Sequence, residues 1–434
     1  MTDYRFPYKD AAFLLNDLLD FDRMCADAGL DEVNSELAEA ILEEAGRFGS
    51  EVLVPINMMG DQQGAKLGDD GVIESPGYAD AYRQYVDNGW ASLSGDVEYG
   101  GQAMPKLLNA AVVEIWDSAC VAFSLCGLLT TGAIEAMVAH ATDELKDAYL
   151  PNMISGEWTG TMCLTEPAAG SDLAAVSTRA VAEGDHYLVT GQKIYITWGD
   201  HQMTDNVIHL VLARLPDAPA GVKGISLFLI PKFLLDENGN PGKRNDVECV
   251  GVEHKLGIHG SPTCTLNFGD NGGAVGYLVG QPNQGLMAMF TMMNEARQGV
   301  GIQSLAVAER SYQQALAYAK DRLQGTRSDG SRYPITEFPD VRRMLMLMKS
   351  ANEAMRGLIY FAAAEGDKTD AAKTPEEAQK HIARTGVYTP IVKGWISELS
   401  QELTYLGIQV HGGLGYMEET GFAQLFRDAR ILTI

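Results

Sequence analysis

Four stretches of the chain place reactive or ligand-binding side chains at spacings that could do chemistry. The segment Cys163-Leu-Thr-Glu-Pro-Ala-Ala-Gly-Ser-Asp172 sets the hydroxyls of Thr165 and Ser171 around Pro167 and Gly170. Proline and glycine force a tight, non-repetitive backbone, and such a turn can aim N–H and hydroxyl donors at the polar edge of a planar ligand. Alone, a Glu-Pro-x-x-Gly fragment is as often an ordinary turn into a β-domain. The second stretch, Gly191-Gln-Lys-Ile-Tyr-Ile-Thr-Trp-Gly199, reads as a strand ending on Tyr195, Ile196 and Thr197. Alternating aromatic strands usually pack a core. In the third, Met287–Arg297, the methionines read as packing, but Arg297 is a charge inside an apolar helix and needs a partner. That helix ends at Asp321-Arg-Leu-Gln-Gly325, where Arg322 is otherwise a solvated surface arginine. In the fourth, Gln409-Val-His-Gly-Gly-Leu-Gly-Tyr416, glycines allow close approach of an anionic ligand. His411 reads as a hydrogen-bonding residue, without a catalytic role.

The elements that must position these residues fall into three zones. Helical spacing of apolar residues runs through the first, as in Leu37–Phe48 and Leu107–His140. Short β-branched runs separated by Gly, Pro, Asn and Asp follow: 186–190, 193–197, 207–213, 225–230 and 263–268. Helices then return over 286–321, 340–365 and 375–406, with a shorter one near 419–431. This order predicts an α+β chain with an N-terminal helical domain (1–160), a middle β-barrel or sandwich (161–284) and a C-terminal helical bundle (285–434). Residues 323–337, rich in Gly, Ser, Arg and Asp, read as an exposed connection.

With 434 residues the chain can bury a large core. Its net charge of −25, from 33 basic and 58 acidic residues, argues against a nucleic-acid partner, which needs a basic surface. No apolar run approaches the roughly 20 residues of a membrane helix, and Met1–Asp10 is not a secretory signal, so the expectation is a cytoplasmic protein with no membrane partner. The six cysteines form no CxxC pair and have no zinc spacing with histidine, so buried reduced thiols and no metal are expected.

Taken in order, the four stretches resemble the signatures of the acyl-CoA dehydrogenase family over nearly the whole chain. The resemblance implies that family's fold with a C-terminal four-helix bundle, FAD as cofactor, and oxidation of the Cα–Cβ bond of an acyl-CoA thioester to the trans-2-enoyl-CoA. Carried over by position, Cys163, Leu164, Thr165 and Ser171 approach the flavin. Tyr195 covers its face where tryptophan is common, Ile196 follows, and Thr197 hydrogen-bonds near N5. Trp198 stands where a small or polar residue is frequent. Ser171, Asn294 and Arg297 meet the substrate: Asn294 on the pantetheine arm, Arg297 supporting the geometry beneath. Arg322, whose fork suits a pyrophosphate, and Gln409, Gly412 and Gly413 contact FAD across a subunit interface, implying a homo-oligomer, dimer or tetramer. Gln424 replaces a basic residue expected between Glu419 and Asp428. The implied electron acceptor is an electron-transferring flavoprotein. The start Tyr4–Asp10 and the segment His254–Cys264 resemble the longer bacterial subgroup acting on 3-methylmercaptopropionyl-CoA.

That chemistry needs a carboxylate to remove the α-proton. In most of the family it follows the motif seen here as Arg427-Asp-Ala-Arg-Ile-Leu-Thr-Ile434, so a C-terminally truncated sequence, with its catalytic glutamate just after Ile434, is expected. Some relatives place the base one residue before the helix arginine, which is Ala296 here; Glu295 is about 100° away around the helix and should point elsewhere. An acyl-CoA oxidase, recognised by peroxide formation, and a non-catalytic flavin- or CoA-binding protein are the alternatives.

Overall fold

A computed structural model describes residues 4–434. Its N-terminal part is helical. Helix α1 (Ser35–Phe48) begins where the Asn34 side chain accepts the Leu37 N–H at 3.0 Å, satisfying an otherwise orphaned donor. Helix α2 spans Tyr78–Asp87, α3 spans Lys106–His140, and α4 (Asp143–Ser155) stops at Gly156, whose φ of 89° suits glycine. Helix α3 is interrupted at Cys120 (φ −159°, ψ 86°), and the Ser124 hydroxyl bridges the break, donating to the Asp117 carboxylate.

By length and composition α3 could cross a membrane, which corrects the expectation that no apolar run is long enough. Here it is a core helix, with its apolar side chains packed against the N-terminal helices and the C-terminal bundle.

The middle part is an eight-stranded sheet: β1 (Trp158–Cys163), β2 (Arg179–Glu183), β3 (His186–Thr197), β4 (Asn206–Arg214), β5 (Ile225–Pro231), β6 (Val247–Val252), β7 (Thr263–Phe268) and β8 (Ala274–Val279). The order is β6-β7-β3-β8-β5-β4-β1. Strand β2 pairs with β3 and, through Arg179 and Arg214, with β4, closing five strands into a small barrel. The two runs expected at 186–190 and 193–197 are one strand bent at Gly191, where a Cβ would lie 2.5 Å from Thr178 Oγ1. Before the bend β3 pairs with β8, and after it with β7. Strand β1 is buried beneath α3, and Gly160 permits the approach: a Cβ there would stand 2.5 Å from Ala133 Cβ.

The C-terminal helices are α5 (Gly285–Asp321), α6 (Pro339–Asp370), α7 (Pro375–His411) and the short α8 (Phe422–Ala429). Helices α5 and α7 run parallel, with Gly301 against Val392 and Gly407 against Ser311. Helix α3 packs along α5 and α6. A buried ion network joins the three: Arg356 Nη2 lies 2.6 Å from Glu114 and 3.3 Å from Glu309. The exposed connection 323–337 carries a two-stranded hairpin, Leu323–Thr326 with Arg332–Pro334.

Candidate active site

The fold brings the first two chemistry-bearing stretches side by side. Glu166, in the turn after β1, is buried against Lys193 of β3, with Nζ 2.8 Å from Oε1. Glu166 also accepts from the backbone N–H and hydroxyl of Ser177 (both 2.7 Å) and of Thr178 (3.1 and 2.6 Å). Burial alone would raise this carboxyl, but Lys193 and these donors hold it at about 2. Lys193 Nζ also donates to the Leu164 carbonyl at 3.0 Å, and the Ile194 N–H to the Thr165 carbonyl at 2.9 Å. Leu164–Thr165 is thereby fixed beside Tyr195.

Around this clamp the hydroxyls of Thr165, Ser171 and Thr197 have no hydrogen-bond partner among the described residues, so they are available to a ligand. Tyr195 is 60% exposed and held at φ 60°, a left-handed conformation unusual for a bulky side chain and a mark of functional strain. Cys163 and Ile196 are buried, backbone included, so neither offers an open surface to a cofactor in this chain. Trp198 is not a stacking partner at the surface. It is fully buried, donates its indole N–H to the Ala122 carbonyl at 3.1 Å, and stacks on Tyr78.

The residues expected to meet substrate lie on α5. Asn294 Oδ1 accepts from Arg297 Nη1 at 3.3 Å, a partner for a charge that is only partly buried. Both line a cavity of about 520 Å³ between α3, α5, α6 and α7, with Lys106, Glu135 and Glu295. Helical geometry turns Glu295 about 100° from its neighbour Ala296, yet Glu295 lines this same cavity. Burial, reinforced by Glu135 and opposed by Lys106, pushes it to about 7. Ala296 leaves no carboxylate at the alternative base position. Lys393 Nζ donates to the Ile434 carbonyl at 3.1 Å, and burial lowers its ammonium.

Arg322, Gln409, Gly412 and Gly413 are exposed, and the two side chains make no contact within the described chain. They gather at the opposite end of the bundle, where Tyr318 of α5 packs on His411 of α7 with ring centroids 4.8 Å apart. His411 is buried, its Nδ1 2.7 Å from the Gly407 carbonyl, a hydrogen-bonding residue as expected. From Arg297 to Arg322 the helix rises roughly 38 Å. Arg322 and the residues lining the open cavity therefore stand at opposite ends of α5.

The motif around Gln424 and Arg427 forms a junction that ties the three parts together. Arg427 of α8 pairs with Asp61 at 2.6 Å and with Glu418 at 2.8 Å, while Asp428 accepts the Ile258 N–H at 2.6 Å. Gln424, the departure from the expected basic residue, donates to Asn57 and Asp428 within the same cluster.

Known proteins match this architecture from end to end. Residues 35–157 match the acyl-CoA dehydrogenase N-terminal domain, 161–271 the middle domain and 283–434 the C-terminal domain. The chain is 47% identical to a 3-methylmercaptopropionyl-CoA dehydrogenase of Ruegeria pomeroyi, covering 99% of this chain and 73% of that one. It is 38% identical to a butyryl-CoA dehydrogenase of Syntrophomonas wolfei, covering 100% and 73%. The butyryl-CoA dehydrogenase structure from Megasphaera elsdenii superimposes with a TM-score of 0.74 at 25% identity, covering 93% of this chain and 94% of that one. With three domain matches in sequence order and a relative of this identity, the chain belongs to the acyl-CoA dehydrogenase family.

Proposed function

We propose that this protein binds FAD and dehydrogenates a short acyl-CoA thioester between Cα and Cβ, with 3-(methylthio)propanoyl-CoA as the favoured substrate and an electron-transferring flavoprotein as acceptor. The carrying observation is the Glu166–Lys193 clamp, which sets the unpartnered Thr165 and Thr197 hydroxyls beside the exposed, left-handed Tyr195. These groups suit a flavin: donors for its polar edge and an aromatic ring for its face. FAD, when bound, would accept the β-hydrogen as hydride, and the α-proton must pass to a carboxylate, which Ala296 does not supply.

The chain's own residues position and orient. Thr165, Ser171 and Thr197 hold the ring system, Asn294 meets the pantetheine arm, and Arg297 supports the thioester end of the cavity. Arg322, Gln409, Gly412 and Gly413, exposed at the far end of the bundle, suit the pyrophosphate of a second copy's FAD, so the working unit on this reading is a homo-oligomer. The substrate reading leans on the Ruegeria pomeroyi relative.

Anaerobic addition of 3-(methylthio)propanoyl-CoA to the flavin-loaded protein tests the reading. Bleaching of the visible flavin band, faster than with butyryl-CoA, supports it. A flavin that binds but stays oxidised with every acyl-CoA refutes dehydrogenation by this chain, and rapid peroxide formation in air would make it an oxidase.

A further inference from the structure

Three of the six non-glycine residues with positive φ among the described residues lie along one corridor. Tyr195 (60°) and Trp198 (52°) stand at and just after the end of β3, and Ile258 (46°) stands in the turn between β6 and β7. A β-branched side chain is poorly suited to that conformation, so Ile258 is held there by its surroundings. What holds it is α8. The Ile258 N–H donates to the buried Asp428 carboxylate at 2.6 Å, and Gln424 Nε2 donates to the other oxygen at 3.2 Å. Gly257 lies flat on the helix end: a Cβ there would stand 2.6 Å from the Arg427 carbonyl. Beyond Ile258 the turn closes on itself, the Ser261 N–H donating to the Ile258 carbonyl at 3.0 Å and Lys255 Nζ to the Ser261 carbonyl at 2.9 Å. The Pro262 carbonyl then accepts the Trp198 N–H at 2.7 Å, and Thr263 stands opposite Thr197 in the β3–β7 register.

We propose that Asp428 is a positioning residue for the flavin: it fixes the Ile258 turn, and the turn, through Pro262 and Trp198, sets the aim of Thr197 and Tyr195. The inference deepens, and rests on, the FAD reading above, but the relay from α8 to β3 is testable without flavin. Three features carry it. The path is continuous, since every step from Asp428 to Trp198 is a hydrogen bond of 3.0 Å or less or a peptide link. Strain sits at both ends, because Ile258 and Trp198 are held in left-handed conformations, so losing the Asp428 acceptor releases the turn instead of only leaving a gap. The turn also has no slack: a Cβ on Gly260 would meet Tyr78 Oη at 2.2 Å, and Tyr78 itself stacks on the Trp198 ring.

Two measurements test it on wild type, Asp428→Ala, Asp428→Asn and Asp61→Asn. Hydrogen–deuterium exchange of the flavin-free protein reads residues 195–198, with the Trp198 amide as reporter. FAD binding and the visible spectrum of the loaded protein read the flavin. Asp428→Asn keeps an oxygen that can accept the Ile258 N–H, and the Gln424 amide can turn to meet the new NH2 group. Asp61→Asn is the control: it removes one of the two countercharges of Arg427, loosening α8, and leaves the Asp428–Ile258 bond in place. Thermal melting checks folding. If Asp428→Ala does not fold, Asp428→Glu, which displaces the carboxylate by one methylene, takes its place.

Asp428→Ala should speed exchange at the Trp198 amide about ten-fold and weaken FAD binding about ten-fold, the factor expected when a hydrogen bond to a charged acceptor is lost, with a shifted visible flavin band. Asp428→Asn should bring both back to within about three-fold of the wild type. Asp61→Asn should leave both unchanged, whatever its drop in melting temperature. Unchanged exchange at 195–198 in Asp428→Ala overturns the relay. Equal losses in Asp61→Asn, or no recovery in Asp428→Asn, leave Asp428 a structural residue and overturn its positioning role. Faster exchange with FAD binding and spectrum unmoved overturns the aim at the flavin. A wild type that takes up no FAD overturns the FAD reading itself, and the exchange result still decides the relay.

Discussion

Replacing Lys193 with methionine tests whether the Glu166–Lys193 clamp holds the flavin-facing loop. Methionine keeps most of the lysine's apolar stem in place, so the loss is electrostatic. Glu166 would retain four hydrogen bonds from Ser177 and Thr178 but lose its countercharge, and the Leu164 carbonyl would lose its donor. Removing one partner of a buried pair costs about 3–5 kcal/mol, and the surviving donors put this case at the lower end, about 3 kcal/mol. Linkage gives a comparable figure, because a carboxyl held at about 2 rather than near 4.5 contributes about 3 kcal/mol. The sign follows from the depression: the contribution is fully present above pH 4.5 and drains away as pH falls toward 2. Guanidinium unfolding of wild type and Lys193→Met at pH 7 and pH 3.5 should therefore differ by about 3 kcal/mol at pH 7 and by clearly less at pH 3.5. The flavin-to-protein ratio of the variant should fall with it. If Lys193→Met loses under 1 kcal/mol at pH 7 and retains flavin like the wild type, the pair does not anchor the Leu164–Thr165 loop.

Thr165→Val should leave the melting temperature within about 2 °C, since its hydroxyl has no protein partner, yet weaken FAD binding about ten-fold in equilibrium dialysis. Tyr195→Gly should have effects of opposite sign: relief of the left-handed strain stabilises the flavin-free protein by up to about 1 kcal/mol in thermal melts, while flavin retention drops. Arg322→Ala should lower both the flavin content and the oligomer mass by light scattering, with Arg322→Lys intermediate because it loses the bidentate fork. Glu295 is raised from its unfolded value to about 7, so its burial costs stability that grows as pH rises from 4.5 through 7. Glu295→Gln should accordingly raise the melting temperature at pH 8, by the equivalent of about 1–3 kcal/mol, and much less at pH 5.

Much of the fold was legible because long elements advertise themselves. Helical spacing over 37–48 and 107–140 located α1 and α3 to within two residues, and the runs at 207–213, 225–230 and 263–268 located β4, β5 and β7. Strands β1, β2, β6 and β8 were not singled out. Half of β1 precedes Thr161, where the β-rich zone is expected to begin, and Gly251 and Gly276 leave β6 and β8 without the β-branched alternation that marks an exposed strand. Nor did composition reveal that Lys193 is buried, since lysine in a strand reads as a solvent-facing position until its partner on another turn is known.

The site was legible in kind and illegible in arrangement, and the helix α5 shows why. Sequence spacing places Asn294, Glu295 and Arg297 on one turn, but whether a residue faces flavin, cavity or bundle depends on which helices cross there. Gly299 settles it: a Cβ at that position would stand 2.2 Å from Leu128 Cδ1, so α3 and α5 touch at this crossing and leave room to one side. Glu295 falls on that side, lining the open cavity, although its neighbour Ala296 is the position an alternative base would occupy. The same helix carries Arg322 some seven turns further on. On the reading proposed above, that separation assigns Arg297 to the substrate and Arg322 to the cofactor of a second copy, so flavin content and oligomeric mass should fall together when Arg322 is lost.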